Sequence, residues 1–198
     1  MGIRVIKAAD LTDIFNSTIR TYHIVDDPYQ SMENPFDPTA IEHTVYQKCW
    51  IDTVQWHYED LIRDPLINPE DGMKLKRKID ASNQLRTDVV EEIDDYFLKL
   101  FKDNGTQTSK LNTESPAWVV DRLSILALKI YHMEEQANRA DAPEELRTKS
   151  QVRLNVLLEQ REDLSSAFDE LMEDYHSQLI FLQILQGGSQ QVQGLRQM

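Results

Sequence analysis

The chain carries one cysteine, Cys49, in 198 residues, so no intrachain disulfide and no cysteine-based zinc site can form. Beside Trp50 it reads as a small buried hydrophobe. Glycine (6) and proline (7) are also scarce. Few turns are therefore written into the chain, which favours a few long helices over many short strands. No apolar run approaches the ~20 residues of a membrane span. The N-terminal MGIRVIKAADL lacks the apolar core of a signal peptide, so the expected location is the cytoplasm. Gly2 does not open a myristoylation signal, because Ile6 stands where Ser or Thr is required. Bases are in deficit, 21 against 34 acids, giving a net charge of −13. Such a surface repels phosphate backbones, so nucleic acid is not an expected partner. Lys74, Lys76, Arg77 and Lys78 form the nearest approach to a basic run, and they read as a solvated helix face.

Familiar catalytic signatures are missing too. There is no His-Glu-x-x-His, no Gly-x-Ser-x-Gly and no glycine-rich phosphate loop. Glu173-x-x-His176 is the single Glu-x-x-His, where a di-iron bundle needs two. Cys49 and His57 stand eight residues apart on one helix, about two turns, too far for a nucleophile–base pair.

What is present is helical period. Hydrophobic content is 40% and charged content 28%, the balance of a folded domain with a wet surface. Leu11, Ile14, Phe15, Ile19 and Tyr22 predict a helix over 9–24, ended by Asp27-Pro28. After a proline-rich loop, Asp37-Pro38 predicts a cap and first turn for a helix over about 39–63, stopped by Asp64-Pro65. A third runs from about Pro69 to Phe101, with Asn68 as cap and Gly72 as a point of weakness. Ser115-Pro116 starts a fourth, and Asp141-Ala-Pro143 a fifth that reaches His176. The fold class is all-α: an up-and-down bundle of about five helices over residues 1–178. Residues 3–6 could add one edge strand. Residues 179–198 form an apolar and then polar tail, read as a last half-turn or as a partner-binding helix end.

Bundles build sites from polar residues on inward stripes. Tyr46 to Pro65 concentrates two tryptophans, a histidine and several acids on one helix. Asp52, Gln55, Trp56, Glu59, Asp60 and Arg63 recur there at spacings of three and four. Asp80, Asn83, Thr87 and Asp94 line the third helix with Arg86 beside them, and Asp121, Ser124 and His132 line the fourth. A register-fixing polar network is one reading of this set. A site is the other, because burying polar groups from several helices is costly.

Three of these segments resemble one family. YQKCWIDTVQWHYEDLIRDP (46–65), KRKIDASNQLRTDVVE (76–91) and DRLSILALKIYH (121–132) are similar to the bacterial family known as domain of unknown function 4254, over roughly residues 10–176. The resemblance implies an all-helical, cytoplasmic bacterial protein of unestablished activity, associated with cell-envelope sugar-transfer genes. After His176 the chain departs from the family pattern, with QILQGGSQQVQGLRQM in place of a basic end.

Three functional readings follow. The first is binding of a small polar ligand, or a protein partner, in an inter-helix pocket linked to envelope glycan metabolism. Its candidate ligand-binding residues are Trp56, Arg63, Asp80, Asn83, Arg86, Asp121, Lys129 and His132. Trp56 would offer a stacking face, and Arg63 or Arg86 would hold an anion. The second is a magnesium-dependent phosphohydrolase, similar in spacing type to the all-α nucleotide pyrophosphohydrolases. There Glu59, Asp60, Glu91 and Asp94 are candidate metal ligands, and His57, Glu59 and Asp60 are candidate catalytic groups. The third is a structural scaffold, with homo-oligomerisation open.

Overall fold

The computed structural model describes residues 5–101, 110–177 and 180–181. Five helices follow in order: α1 (Ala8–Tyr22), α2 (Ile41–Leu61), α3 (Pro69–Phe101), α4 (Pro116–Asn138) and α5 (Glu144–His176). Lys110–Leu111 and Ile180–Phe181 pair as a two-residue parallel ladder. Val5 and Ile6 lie in no strand, and the tail beyond Phe181 falls outside the described residues. Among the described residues, no helix is long and apolar enough to cross a membrane.

Local chemistry sets the helix ends. At α1 the Asp10 carboxylate accepts the Lys7 amide, and Asp169 of α5 accepts the Ala8 amide at 2.9 Å. Two N-terminal donors are thereby satisfied by negative groups, as the helix dipole favours. α2 starts later than its sequence suggests. Asp37 accepts the Thr39 amide and hydroxyl, closing a side-chain turn, and the helix begins only at Ile41. α3 runs unbroken through Gly72, whose amide donates to Asn68 at 2.8 Å. The Asn68 side chain accepts the Glu70 amide at the same end. Pro116 occupies the first turn of α4, where its missing N–H costs nothing.

Side-chain pairs fix the directions. Asp52 faces Arg86 and Gln55 faces Asn83, so α2 and α3 are antiparallel. Phe97 meets Phe168 and Phe101 meets Tyr175, so α3 and α5 are parallel. Cys49 lies on Phe15 and His57 on His23, so α1 and α2 also run the same way. From α2 to α5 the chain therefore goes up and down. The α1–α2 step is the exception, and the long segment between Tyr22 and Ile41 makes the return. The core is continuous along the axis: Leu11, Phe15, Ile19, Val45, Cys49, Ile93, Phe97, Val120, Leu128 and Phe168 are all buried.

Candidate functional site

Two polar layers interrupt this core. The deeper one is ionic. Lys48, Asp52, Asp121 and Arg86 converge from α2, α4 and α3. Their side chains are 0, 3, 7 and 28% exposed. Lys48 Nζ bonds Asp52 Oδ2 one turn along its own helix and lies 2.9 Å from Asp121 Oδ1. Arg86 donates to both oxygens of Asp121, at 2.8 and 3.0 Å from one terminal nitrogen. Its Nε sits 3.0 Å from Asp52 Oδ1 but aims its hydrogen at Asp121, so that oxygen is held by charge alone. The Ser124 hydroxyl donates to Asp52 Oδ2 at 2.6 Å. Two cations thus balance two anions.

The two aspartates titrate in opposite directions. Full burial lifts the Asp52 carboxyl above the usual range, against the pull of Lys48, Ser124 and Arg86. Burial also pushes on Asp121, but Lys48 and Arg86 together outweigh it and hold that carboxyl low. Asp52, enclosed on every side, is the one that takes a proton first.

The second layer lies five residues further along α2, about 8 Å up the axis. There the C-terminal end of α1, α2 and α4 bring His23, His57 and His132 together. One ring nitrogen from each lies within 4.8 Å of the other two. His57 Nε2 is 3.4 Å from His23 Nε2 and 3.5 Å from Asp26 Oδ1. Aromatic rings wall the cluster. Trp56 stacks on His132 at 4.9 Å with 12° between planes, Tyr22 stacks on His57 at 5.0 Å, and Tyr131 lies 4.4 Å from His23. His23 Nδ1 is anchored on the Ile19 carbonyl at 2.7 Å, and His132 Nδ1 on Glu135 at 3.1 Å. The other nitrogen of His132, Nε2, is buried with no hydrogen-bond partner. Burial lowers the pKa of both His57 and His132, against the pull of Asp26 on the first and of Glu135 on the second, so both rings are neutral near pH 7.

The structure distributes the sequence candidates over both layers and the surface. Trp56, His57 and His132 meet in the upper layer; Arg86 and Asp121 meet in the lower. Arg63 is exposed and bound to Asp60 at 3.0 Å. Asp80 is exposed and paired with Lys76, and Asn83 accepts from Gln55 at 2.7 Å on the α2–α3 seam. Lys129 is separate: with Arg122, Gln160 and Asp163 it lines an α4–α5 groove of about 530 Å³. Glu59 and Asp60 are not brought to Glu91 and Asp94. By the Asp52–Arg86 register the two pairs stand about 18 Å or more apart along the axis, far beyond magnesium–oxygen distances. Asp94 instead faces the start of α4 near Ser115 and Ala117. Lys74 pairs with Asp71, and Lys78 lies over the Tyr29 ring at 3.9 Å.

A model of the family described as "Protein of unknown function (DUF4254)" matches residues 42–183. The chain belongs to the DUF4254 family. No curated protein and no solved structure matches it. The match spans α2 to α5 and leaves α1 outside. In this DUF4254 chain, then, His57 and His132 lie inside the matched region, while His23 and Asp26 lie before it.

Lys48 and His23 were not among the sequence candidates, although both left a trace. Lys48 stands four residues before Asp52 on the buried Val45–Cys49 stripe. His23 continues the α1 stripe four residues after Ile19. A lysine on an apolar stripe needs an acid opposite it, and α4 supplies Asp121.

Proposed function

We propose that this is a cytoplasmic binding protein for a small polar ligand of cell-envelope glycan metabolism, seated at the end of the bundle where α1, α2 and α4 meet. The carrying observation is the upper layer itself: three half-buried imidazoles and the Trp56 indole turned toward one another, with His132 Nε2 buried and unpartnered. Buried polar atoms without partners are few in folded proteins, and they mark places where something else supplies the bond. The surroundings refine the ligand's chemistry. Asp26, Asp60 and Glu135 make this end acidic, and the nearby Arg63 and Arg86 are bound to carboxylates. A neutral hydroxyl-rich or cationic group suits that field better than a phosphate.

The test is thermal unfolding of tag-free protein in chelator with a panel of sugars, amino sugars and nucleotide sugars. A ligand at a hundred times its Kd adds ~2.7 kcal/mol, or about 5–10 °C for a domain of this size. The shift should vanish in Trp56→Leu and His132→Gln while surviving in Lys129→Ala. A shift that survives both upper-layer changes, or none across the panel, refutes the reading. A protein partner is the second reading. It is favoured by Ile24, Val25, Leu61 and Leu66, exposed at the same end of the bundle.

A further inference from the structure

The upper layer has the donor set of a metal centre. We propose that Nε2 of His23, His57 and His132, with the Asp26 carboxylate as fourth donor, bind a divalent transition-metal ion of the zinc class. The inference rests on the proposed ligand site for its place in the fold, since the metal would sit among the same side chains.

Spacing is the first argument. Tetrahedral zinc with Zn–N bonds near 2.0–2.1 Å places its donors ~3.3 Å apart. His23 Nε2 and His57 Nε2 are already 3.4 Å apart, and Asp26 Oδ1 is 3.5 Å from the second of them and 3.9 Å from the first. The widest separation within the histidine group, one ring nitrogen taken from each, is no more than 4.8 Å. Bringing it to the tetrahedral edge takes at most about 1.5 Å of side-chain movement, within what small torsional adjustments of half-buried rings supply.

Lone pairs are the second. His23 gives its Nδ1 hydrogen to the Ile19 carbonyl, so its Nε2 is a bare lone pair pointing at His57. His132 Nδ1 is engaged by Glu135, and its Nε2 has no protein partner. Each of the two rings therefore has one nitrogen held by an outer group and the other left for a ligand. Metal-bound histidines show that division: a carbonyl or carboxylate on the far nitrogen fixes the tautomer and the ring plane.

The backbone supplies the third. Asp26 has φ 56°, in the left-handed region, in the turn after α1 where its amide donates to the Tyr22 carbonyl. Aspartate is among the few residues that adopt this conformation readily. The reversal turns its carboxylate back over the histidines, and Asp60 adds negative charge beside His57 and His132. Three imidazoles and one carboxylate select zinc, cobalt, nickel or copper over magnesium and calcium, which prefer all-oxygen shells.

Cobalt(II) titration of tag-free, chelator-treated full-length protein tests this directly. The expected result is a visible d–d spectrum of tetrahedral cobalt saturating at one ion per chain, displaced by zinc and untouched by excess magnesium. His57→Gln and His132→Gln should each weaken binding by more than about 100-fold, beyond the range for losing an outer-shell partner, and Glu135→Gln by about 10-fold. Asp26→Asn is the variant least able to fail by misfolding, since Asn adopts the same backbone and the side chain is half exposed; it should shift the cobalt spectrum. No tetrahedral band in folded wild type overturns the proposal, as does a band unchanged in His57→Gln or Asp26→Asn. Because the sugar panel is run in chelator, the two proposals fail separately. A sugar-induced shift without a cobalt band sinks the metal alone, and a cobalt band without any sugar-induced shift sinks the ligand alone.

Discussion

Lys48→Met removes the cation at the centre of the lower layer. The lysine is wholly buried and contacts both Asp52 and Asp121, which are themselves almost wholly buried. Taking one partner from a buried ion pair costs ~3–5 kcal/mol, because the charge left behind has neither water nor a counter-ion. Here Arg86 remains against both carboxylates, so the loss falls near ~3 kcal/mol. For a domain of this length that lowers Tm by about 6–12 °C. The informative comparison is with Lys48→Met/Asp52→Asn. Asparagine keeps the acceptor for the Ser124 hydroxyl and removes the stranded charge, leaving Asp121 with Arg86 as a balanced pair. The double variant should be more stable than Lys48→Met alone by at least ~1 kcal/mol, a coupling that a double-mutant cycle isolates. Urea unfolding at pH 7, followed by circular dichroism, gives all four corners of the cycle. A Lys48→Met variant within about 1 kcal/mol of wild type, nearer the cost of a surface change than of a broken buried ion pair, refutes the reasoning. So does a double variant weaker than the single.

The remaining predictions concern protons and packing. His57 and His132 have pKa values held below the ordinary histidine value of 6.5 by burial, which outweighs the opposing pull of Asp26, Asp60 and Glu135. The unfolded chain then binds more protons than the fold below that value, so stability is full above pH 6.5 and falls as pH drops through it. Between pH 7.5 and 5.5, on the scale of the ordinary histidine pKa of ~6.5, wild type in chelator should lose more stability than His57→Gln/His132→Gln. Equal losses would show that these rings are not the groups titrating. The Cys49 thiol is fully buried and its pKa is pushed up to about 12 by desolvation and the nearby Asp52. It should react with a disulfide reagent only at the rate of global unfolding, and rapid labelling of the native protein would contradict its placement. Phe97, fully buried beside Phe101 and Phe168, should cost ~3–5 kcal/mol on change to Ala, measured by the same urea titration.

Much of the architecture was legible because a helix writes its buried face at a period of 3.6 residues. Leu11, Phe15 and Ile19, or Val120, Leu123 and Ala127, can be read as stripes, and all are buried. Asn68 and Ser115-Pro116 mark helix starts for local reasons: the Asn68 side chain accepts an amide of its own first turn, and Pro116 has the backbone angle of a first turn and no N–H to leave unpaired. Asp37-Pro38 misled for an equally local reason: the Asp37 side chain closes a turn onto Thr39, and two such outcomes compete over the same three residues. Within the candidate site, Trp56, His57 and His132 stood out as polar or aromatic groups on inward stripes. His23 did not, because a histidine at a helix end beside Asp26-Asp27 looks like an ordinary exposed cap until two other helices close over it.

The sequence by itself determined that this chain is all-helical, where its long helices lie, that no disulfide can brace them, and that it belongs with the DUF4254 proteins. Those properties depend on neighbours within a turn or two, on composition, or on whole strings of residues. Tertiary structure alone decided which acids meet which bases. Nothing local distinguishes Asp52, buried between Lys48 and Arg86, from Asp60, exposed and paired with Arg63. It also decided that α1 runs parallel to α2, which carries His23 to His57 across a sequence separation of 34 residues. Contacts of that range are set by how side chains of different helices fit together, and no single stripe records its partner.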